Sequence, residues 1–459
     1  MSATETPSEC THLILGGGVN GLSVAWHLAE RIGGEGEILV VEKDRIGAGA
    51  SGLAGGIVRN YYRAPAITEL IRDSVEIFEA EPEAFGFRQV GYLAAVPERQ
   101  VDDLVAIRSH HEAAGYESEL ITGPESCREY LTWTWPDWTA PVAAVLHERR
   151  GGWADAMETV RHLAERARSA GARIAEGVEV LGFEERDGRV VAAETSRGRI
   201  ACETLVIAPG PWASGVWEML GRSPWLEVAG PAGDATQDDG PGGGAAQGDA
   251  PGSGAGPSVR RLLLAYLKAQ EGEFQLPGVG LGGRAGREPP VVHLDQETPL
   301  RSDRDGRALT DGPWGIYFRM GRTGTGITGG GLPLRLEDPE LDPYGAGNPA
   351  HAAEPEFGEF FVSGLATAFG RFRGQAGGWR ATPGGGIVSH TPDNYPICDW
   401  IGPNAYAVID SGHGFKILAL GRHAASDLLE GEPRLDPFRL ARFASGETHT
   451  ASAGPYPWT

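Results

Sequence analysis

THLILGGGVNG, residues 11–21, is the stretch whose reading decides the fold of this chain. A short apolar run, Leu13, Ile14 and Leu15, ends in Gly16-x-Gly18-x-x-Gly21, and the helical pattern LSVAWHLAER of residues 22–31 opens at once. Gly16 allows the tight turn, Gly18 lets a pyrophosphate approach the backbone, and Gly21 lets the helix pack closely on the strand. The helix N-terminus adds unpaired N–H groups and the positive end of a dipole. Alone, the glycine pattern is a weak signal. Its flank strengthens it: a second run, EILVVE, closes on Glu42, at about the spacing of an acid that binds a ribose hydroxyl. The segment predicts a strand, turn and helix that bind a dinucleotide.

With 459 residues the chain is long enough for two or three domains with substantial cores. Forty Lys and Arg against sixty-two Asp and Glu leave a net charge of −22. Nucleic-acid binding and docking on anionic lipid both need a basic face, so this balance argues against them. A local site can still be positive. Cys10, Cys127, Cys202 and Cys398 are far apart, with neither a CxxC pair nor zinc-ligand spacing, and no metal site is expected. The opening MSATETPSEC lacks the basic and apolar regions of a secretory signal, and no apolar run approaches bilayer length. Together with the scattered cysteines, these features predict a soluble protein of the reducing cytoplasm.

A second small-residue stretch, GAGASGLAGG at 47–56, follows the second strand. A nicotinamide enzyme has no evident use for another bare backbone surface there. A longer cofactor lying over the sheet does, because its linker and ring need close approach without side chains. This favours FAD over NAD. Further on, ITELIRDSVEIFEAE reads as a helix, 88–100 as a strand pair, 101–114 as a helix, and GGWAD at 151–155 as the opening of a long helix. The apolar strand ending in Ala208, Pro209 and Gly210 reads as a return to the first domain, which is therefore discontinuous. The predicted division is an FAD-binding domain at 9–87, 147–228 and 376–431, and a substrate domain at 88–146 and 259–375. Residues 229–258, rich in Gly, Pro and Ala, read as a disordered insertion, and 432–459 as a surface-wrapping tail. Alternation over 260–372 predicts an antiparallel sheet with one wet face, while 377–399 reads as loop-rich. The fold class is α/β: a Rossmann-type FAD-binding domain joined to a substrate domain of mostly antiparallel sheet and helices.

The segments GGGVNGLSVAWHLAE, VVEKD, GASGLAGGIVRNYY, GGWADAMETVRHLAERARSAGARI, LVIAPGPWA, HTPDNYPI and SGHGFK occur in this order. Together they resemble the glycine/sarcosine-oxidase branch of the D-amino-acid-oxidase-like FAD enzymes. IVRNYY looks most like sarcosine oxidase and the dimethylglycine dehydrogenases. The resemblance implies a two-domain flavoprotein, with extended FAD in one domain and a sheet roofing the flavin. It implies cofactor contacts from Gly16, Gly18, Asn20, Gly21, Glu42, Lys43, Ala50, Ser51, Gly52, Val178, Gly210 and Trp212. Gly412, His413, Gly414, Phe415 and Lys416 complete that set. It also implies that Lys416 and Arg59 grip the carboxylate of a small substrate, which Arg can do bidentately.

The residues themselves add to this. Lys416 falls in the predicted first turn of the last helix, KILALGRHAASDLLEG, where the helix dipole disfavours a cation by ~0.3–1 kcal/mol. A residue that breaks a local rule is a candidate for function. Backbone N–H groups of Gly412–Phe415 suit the pyrimidine edge of a reduced flavin, and His413 between the glycines is a candidate flavin contact. Tyr61, Tyr62, Tyr317 and His390 are candidates to line the substrate site. The implied reaction passes a hydride equivalent from the carbon beside nitrogen to flavin, giving an imine that water hydrolyses.

Two departures from the family pattern bear on the chemistry. The cysteine that attaches FAD in some relatives falls on Gly386, and no histidine closely follows IVRNYYR, so FAD is expected to be non-covalent. The lysine that speeds reaction with oxygen in monomeric sarcosine oxidases has no counterpart in GTGITGGG. Only Ile327, Thr328 and Gly329–Gly331 stand there, a glycine-lined space that permits a larger substrate, with Lys268 as the alternative lysine near the flavin. The electron acceptor is therefore read as O2 or an unidentified protein or quinone. Two further readings stay open: an FAD-dependent 2-hydroxy-acid oxidase or dehydrogenase, and a flavin-binding partner subunit without catalysis of its own.

Overall fold

Two sheets of eight strands each organise the chain in a computed structural model that describes residues 6–229, 258–276, 278–283, 287–322, 324, 326–449 and 453–455. In the first sheet, strand Glu9–Leu15 lies between Ile38–Glu42 and Gly198–Ile207, parallel to both. Arg173–Glu176 extends the parallel set on one side and Ala405–Ile409 on the other. Leu13, Ile14 and Leu15 are at most 3% exposed, as expected of a central parallel strand covered on both faces. One cover is the 14-residue helix Val19–Ile32, which packs on Ala156–Ser169 and Leu420–Glu430. Asp155 starts the second of these helices: its Oδ1 accepts the N–H groups of Met157 at 3.1 Å and Glu158 at 3.0 Å, an N-cap worth about 1 kcal/mol.

The second sheet runs in the order Arg380–Pro383, Glu271–Gln275, Ile327–Gly331, Trp314–Met320, Val291–Gln296, Tyr92–Val96, Ala144–Glu148, Ser118–Thr122. Neighbours are antiparallel except Val291–Gln296 on Tyr92–Val96. The expected wet face is absent from its centre. Leu93 and Ala95 join a core with Ile316, Phe318 and helix Phe357–Ala368, while Tyr92, Ala94 and Val96 join another with Tyr61, Leu104 and Trp153. The polar-looking alternation failed as a guide because residues from 57–63 and helix Val101–Ala113 cover the second face.

Other expectations need correction. Residues 88–100 do not form a strand pair: Phe87–Arg88 pairs with Gly152–Ala154, and Tyr92–Val96 enters the large sheet. The stretch 377–399 is not mainly loop, because Arg380–Pro383, Gly386–His390 and Ile397–Trp400 are strands. The small-residue loop at 47–56 holds a helical turn, Ala50–Leu53. The interior of the predicted disordered insertion lies outside the described residues. Its two end residues, Ala229 and Ser258, pair in the antiparallel strands Trp225–Ala229 and Ser258–Leu262. Among the described residues no helix is long and apolar enough to cross a membrane.

The tail is anchored rather than merely laid on the surface. The turn Pro433–Phe438 and short helix Ala441–Ser445 bring Arg442 onto Asp393, with Nε–Oδ2 at 2.8 Å and Nη2–Oδ1 at 2.9 Å. Both side chains are 3% exposed. Removing one partner of such a pair strands a buried charge, at a cost of about 3–5 kcal/mol. Arg442→Ala should therefore lower the urea midpoint sharply, and the double variant Arg442→Met/Asp393→Asn should recover much of the loss. Equal midpoints for wild type and Arg442→Ala would show that the pair is not stabilising the tail.

Candidate functional site

The strand Glu9–Leu15 delivers Gly16 to the mouth of a cavity of about 770 Å³ that runs past the ends of the parallel strands. Gly16 has φ +107°, and a Cβ there would lie 2.3 Å from the Ala208 carbonyl oxygen, so only glycine turns the chain at this point. Gly18 N-caps the first helix with no side-chain bond of its own, and the next N–H, that of Val19, donates to Ser51 Oγ at 3.1 Å. Glu42 closes the second strand: its Oε2 accepts the Gly17 N–H at 2.8 Å and its Oε1 the Asp44 N–H at 3.0 Å. Asn20, Lys43, Ala50, Val178, Gly210, Trp212 and Gly412 complete the expected wall. Lys43 Nζ lies 3.9 Å over the Trp212 ring and is ion-paired with Asp342, which also accepts Trp212 Nε1–H at 3.1 Å.

Bare glycine backbone at a helix N-terminus, an acid at the end of the second strand and an elongated cavity fit an extended dinucleotide such as FAD. Two expected contacts, Gly21 and Gly52, line neither this cavity nor the smaller one beside it. A Cβ on Gly21 would stand 2.1 Å from the Gly16 carbonyl oxygen, so this glycine serves helix–turn packing. Gly52 faces helix Ala156–Ser169, where a Cβ would meet Met157 Sδ at 2.8 Å.

A second cavity of about 170 Å³ shares Val19, Ala50, Ser51, Tyr344, Val388, Asp410 and Gly412 with the first. Its wall brings together Arg59, Lys416, His413, Phe415, Gly414, Tyr317 and His390, from segments far apart in the chain. Arg59 is 5% exposed; its Nη1 donates to Tyr92 OH at 2.7 Å and lies 3.4 Å from His293 Nδ1. Burial works against the guanidinium charge, but the oxygens of Tyr92 and Tyr62 outweigh it and raise the pKa. Among the described residues no carboxylate lies within ion-pair distance of Arg59 or Lys416. Tyr61, expected at the reacting centre, does not line the cavity: it packs behind Arg59 against Tyr92 and His293, and its hydroxyl donates to Gln100 Oε1 at 3.4 Å. Tyr62 is also off the wall, its ring 4.9 Å from that of His413.

Lys416 reaches the cavity from a 3₁₀ turn, Gly414–Ile417, not from the first turn of the last helix, which begins at Leu420. The dipole argument for its placement therefore fails. Its Nζ donates to the Gly412 carbonyl at 3.2 Å. The N–H groups of His413 and Gly414, expected to face the flavin, donate instead to Asp410 Oδ1 at 3.1 Å and Oδ2 at 3.0 Å. Burial, then Lys416, pushes His390 down to about 3, and the same two causes hold His413 well below its usual value. Both rings stay neutral in the physiological range.

The acid that sequence reading missed is Glu271. It lies half-buried on the cavity wall and accepts the Tyr317 hydroxyl. In KAQEGEFQ it is one charge among several on a strand, and nothing local marks it. Burial lifts its carboxyl from 4.5 to about 7, against the lowering effect of Lys416 and Arg319. Lys268, the alternative lysine near the flavin, lines neither cavity and is ion-paired with Glu354. The glycines 329–331 open no extra space: a Cβ on Gly330 would meet the Tyr317 ring at 2.6 Å and one on Gly329 the Phe361 ring at 2.4 Å. Gly386 lines the smaller cavity, with Tyr344 OH 3.0 Å from where a Cβ would stand. Among the described residues no group of His, Cys, Asp and Glu is placed to hold a metal.

Residues 12–232 match the family described as FAD dependent oxidoreductase (DAO). The chain is 31% identical over 225 residues to sarcosine oxidase subunit beta of Rhizobium meliloti, covering 46% of this chain and 51% of that one. It is 28% identical over 228 residues to mitochondrial dimethylglycine dehydrogenase of Rattus norvegicus, covering 48% and 26%. The matched region thus spans about half of the first relative and a quarter of the second. L-Proline dehydrogenase from P. horikoshii shares the fold with a TM-score of 0.71 at 22% identity, over 97% of this chain and 100% of that one.

Because its carboxyl is raised, folded Glu271 keeps a proton that the unfolded chain releases, and stability falls as pH rises from 4.5 to about 7. The loss above that window is at most about 3 kcal/mol. Glu271→Gln should therefore gain melting temperature relative to wild type at about pH 8 compared with about pH 4, where the carboxyl is protonated in the folded state. The same difference at both would mean that the carboxyl titrates normally.

Proposed function

We propose that this chain, a DAO-family FAD-dependent oxidoreductase over its residues 12–232, oxidises the C–N bond of an amino acid or N-alkyl amino acid. The observation that carries the reading is Arg59 and Lys416 on one small cavity, without a carboxylate partner among the described residues, beside the cavity that fits FAD. A substrate carboxylate supplies the missing anion, and in a site with little water that contact is strong. Tyr92 and His293 orient the guanidinium, and Gly412 the lysine.

The larger cavity would take FAD without a covalent bond, with Glu42 on a ribose hydroxyl and Gly16, Gly18 and Asn20 near the phosphates. Bound FAD supplies the two-electron acceptor, and the imine product is hydrolysed by water. The cavity walls of Tyr92, Tyr317, Tyr344 and Val388 favour a neutral, reactive amine by limiting solvent. The first sheet with its helices is the FAD-binding part in this reading, and the second sheet the substrate part. Four buried cysteines without disulfides support a reducing, cytoplasmic setting. The electron acceptor is O2 or a protein or quinone, which oxygen uptake against dye reduction would separate.

Anaerobic titration tests the proposal. N-methyl amino acids should bleach the flavin band near ~450 nm. Bleaching by 2-hydroxy acids alone would assign a C–O oxidising enzyme, and bleaching by neither class a flavin-binding subunit. Lys416→Met should raise KM about 10- to 100-fold, the worth of one charge-assisted hydrogen bond, with FAD content unchanged. Loss of FAD with KM intact would make the lysine a cofactor or structural residue.

A further inference from the structure

Two carboxylates line the smaller cavity, and they are used differently. Asp410 commits an oxygen each to the N–H groups of His413 and Gly414. Glu271 accepts the Tyr317 hydroxyl through Oε1, and its Oε2 has no protein partner among the described residues. Gly55 faces this pair: a Cβ there would lie 3.6 Å from both Glu271 Oε2 and Tyr317 OH, so any larger residue would cover the carboxylate. The cavity thus presents two cations and one accessible acid, a charge pattern matching a zwitterion with its carboxylate and its ammonium apart.

We propose that Glu271, oriented by Tyr317, accepts the proton of the substrate ammonium and so delivers the neutral amine that is oxidised. In this step an N–H bond breaks, an O–H bond forms on the Glu271 carboxyl, and the electron pair stays on nitrogen. The ammonium and carboxylate charges are both cancelled, so no net charge moves. The inference rests on the amino-acid reading above and narrows it to substrates whose nitrogen arrives protonated. A 2-hydroxy acid brings no such proton and gains nothing from the carboxylate.

Around Glu271 stand Tyr317 and Arg319 of strand Trp314–Met320, Lys416 of the 3₁₀ turn, Tyr344, and Glu273 on its own strand. Burial sets the carboxyl near 7, where a general base is both deprotonated and basic at neutral pH. Lys416 and Arg319 keep it from rising further.

The holoenzyme and its Glu271→Gln and Glu271→Asp variants would be reduced anaerobically by an N-methyl amino acid across about pH 5 to 9. In wild type the flavin reduction rate should climb with pH through about 7. Glu271→Gln should slow it ~10²- to 10⁴-fold and abolish that limb, and Glu271→Asp should restore part of both. The second readout is binding of a simple carboxylate without an amine, followed by the flavin spectrum. Its affinity should hold or tighten in Glu271→Gln, because an anion has left the cavity. Tyr317→Phe is the fallback if Glu271→Gln does not fold: losing the donor should move the limb to higher pH. A Gln variant that keeps the limb, or that loses FAD and carboxylate binding together, overturns the inference while wild-type bleaching by amino acids sustains the broader reading. A wild-type flavin that no amino acid bleaches overturns both.

Discussion

A carbonyl oxygen 2.1 Å from the place where a Cβ would stand leaves Gly21 no alternative. That contact, between Gly16 and Gly21, folds the first helix back onto the first strand and fixes where the helix N-terminus points. The wall of the larger cavity follows from it. Gly18 and Val19 line the cavity, the Val19 N–H donates to Ser51 Oγ, and Glu42 reaches across to Gly17. The parallel neighbours then require crossovers from distant chain segments, which is why residues 173–176, 198–207 and 405–409 meet on one sheet.

Charge decides the character of the smaller cavity. Arg59 is held by a phenol and an imidazole rather than by an acid, so its charge remains available to a ligand. Among the described residues, Lys416 is held through the Gly412 carbonyl. Burial, and after it Lys416, keeps His390 and His413 neutral, while Lys416 and Arg319 restrain the rise of Glu271. One cavity thus combines permanent cations, neutral imidazoles and an acid poised to titrate, through the ordinary competition between desolvation and nearby charge. The net charge of −22 gave no hint of this local positive site.

Residues alone are legible where backbone geometry restricts them. Gly16-x-Gly18-x-x-Gly21 and Glu42 are legible because close approach demands particular residues at particular spacings. The motifs around Arg59 and Lys416 mark them in the sequence, and the fold carries both to one cavity. Tyr61 misled: IVRNYY runs without a regular element beyond Val58, so no periodicity says which side chain turns inward. KILALGRHAASDLLEG has a good helical pattern from Lys416 onward, yet the turn at Gly414–Ile417 delays the helix to Leu420.

By itself the sequence determined the first strand, its glycine turn and the helix that follows, together with the order of the segments, all of which depend on interactions between residues close in the chain. Only the tertiary structure decided that Asp410 consumes the N–H groups of His413 and Gly414 and that Glu271 faces the cavity beside Lys416. It likewise placed Lys268 on Glu354, away from both cavities. Strand pairing at long sequence separation sets which alternate side chains share a wall, and burial there sets their protonation. Neither quantity is defined until the sheets have formed.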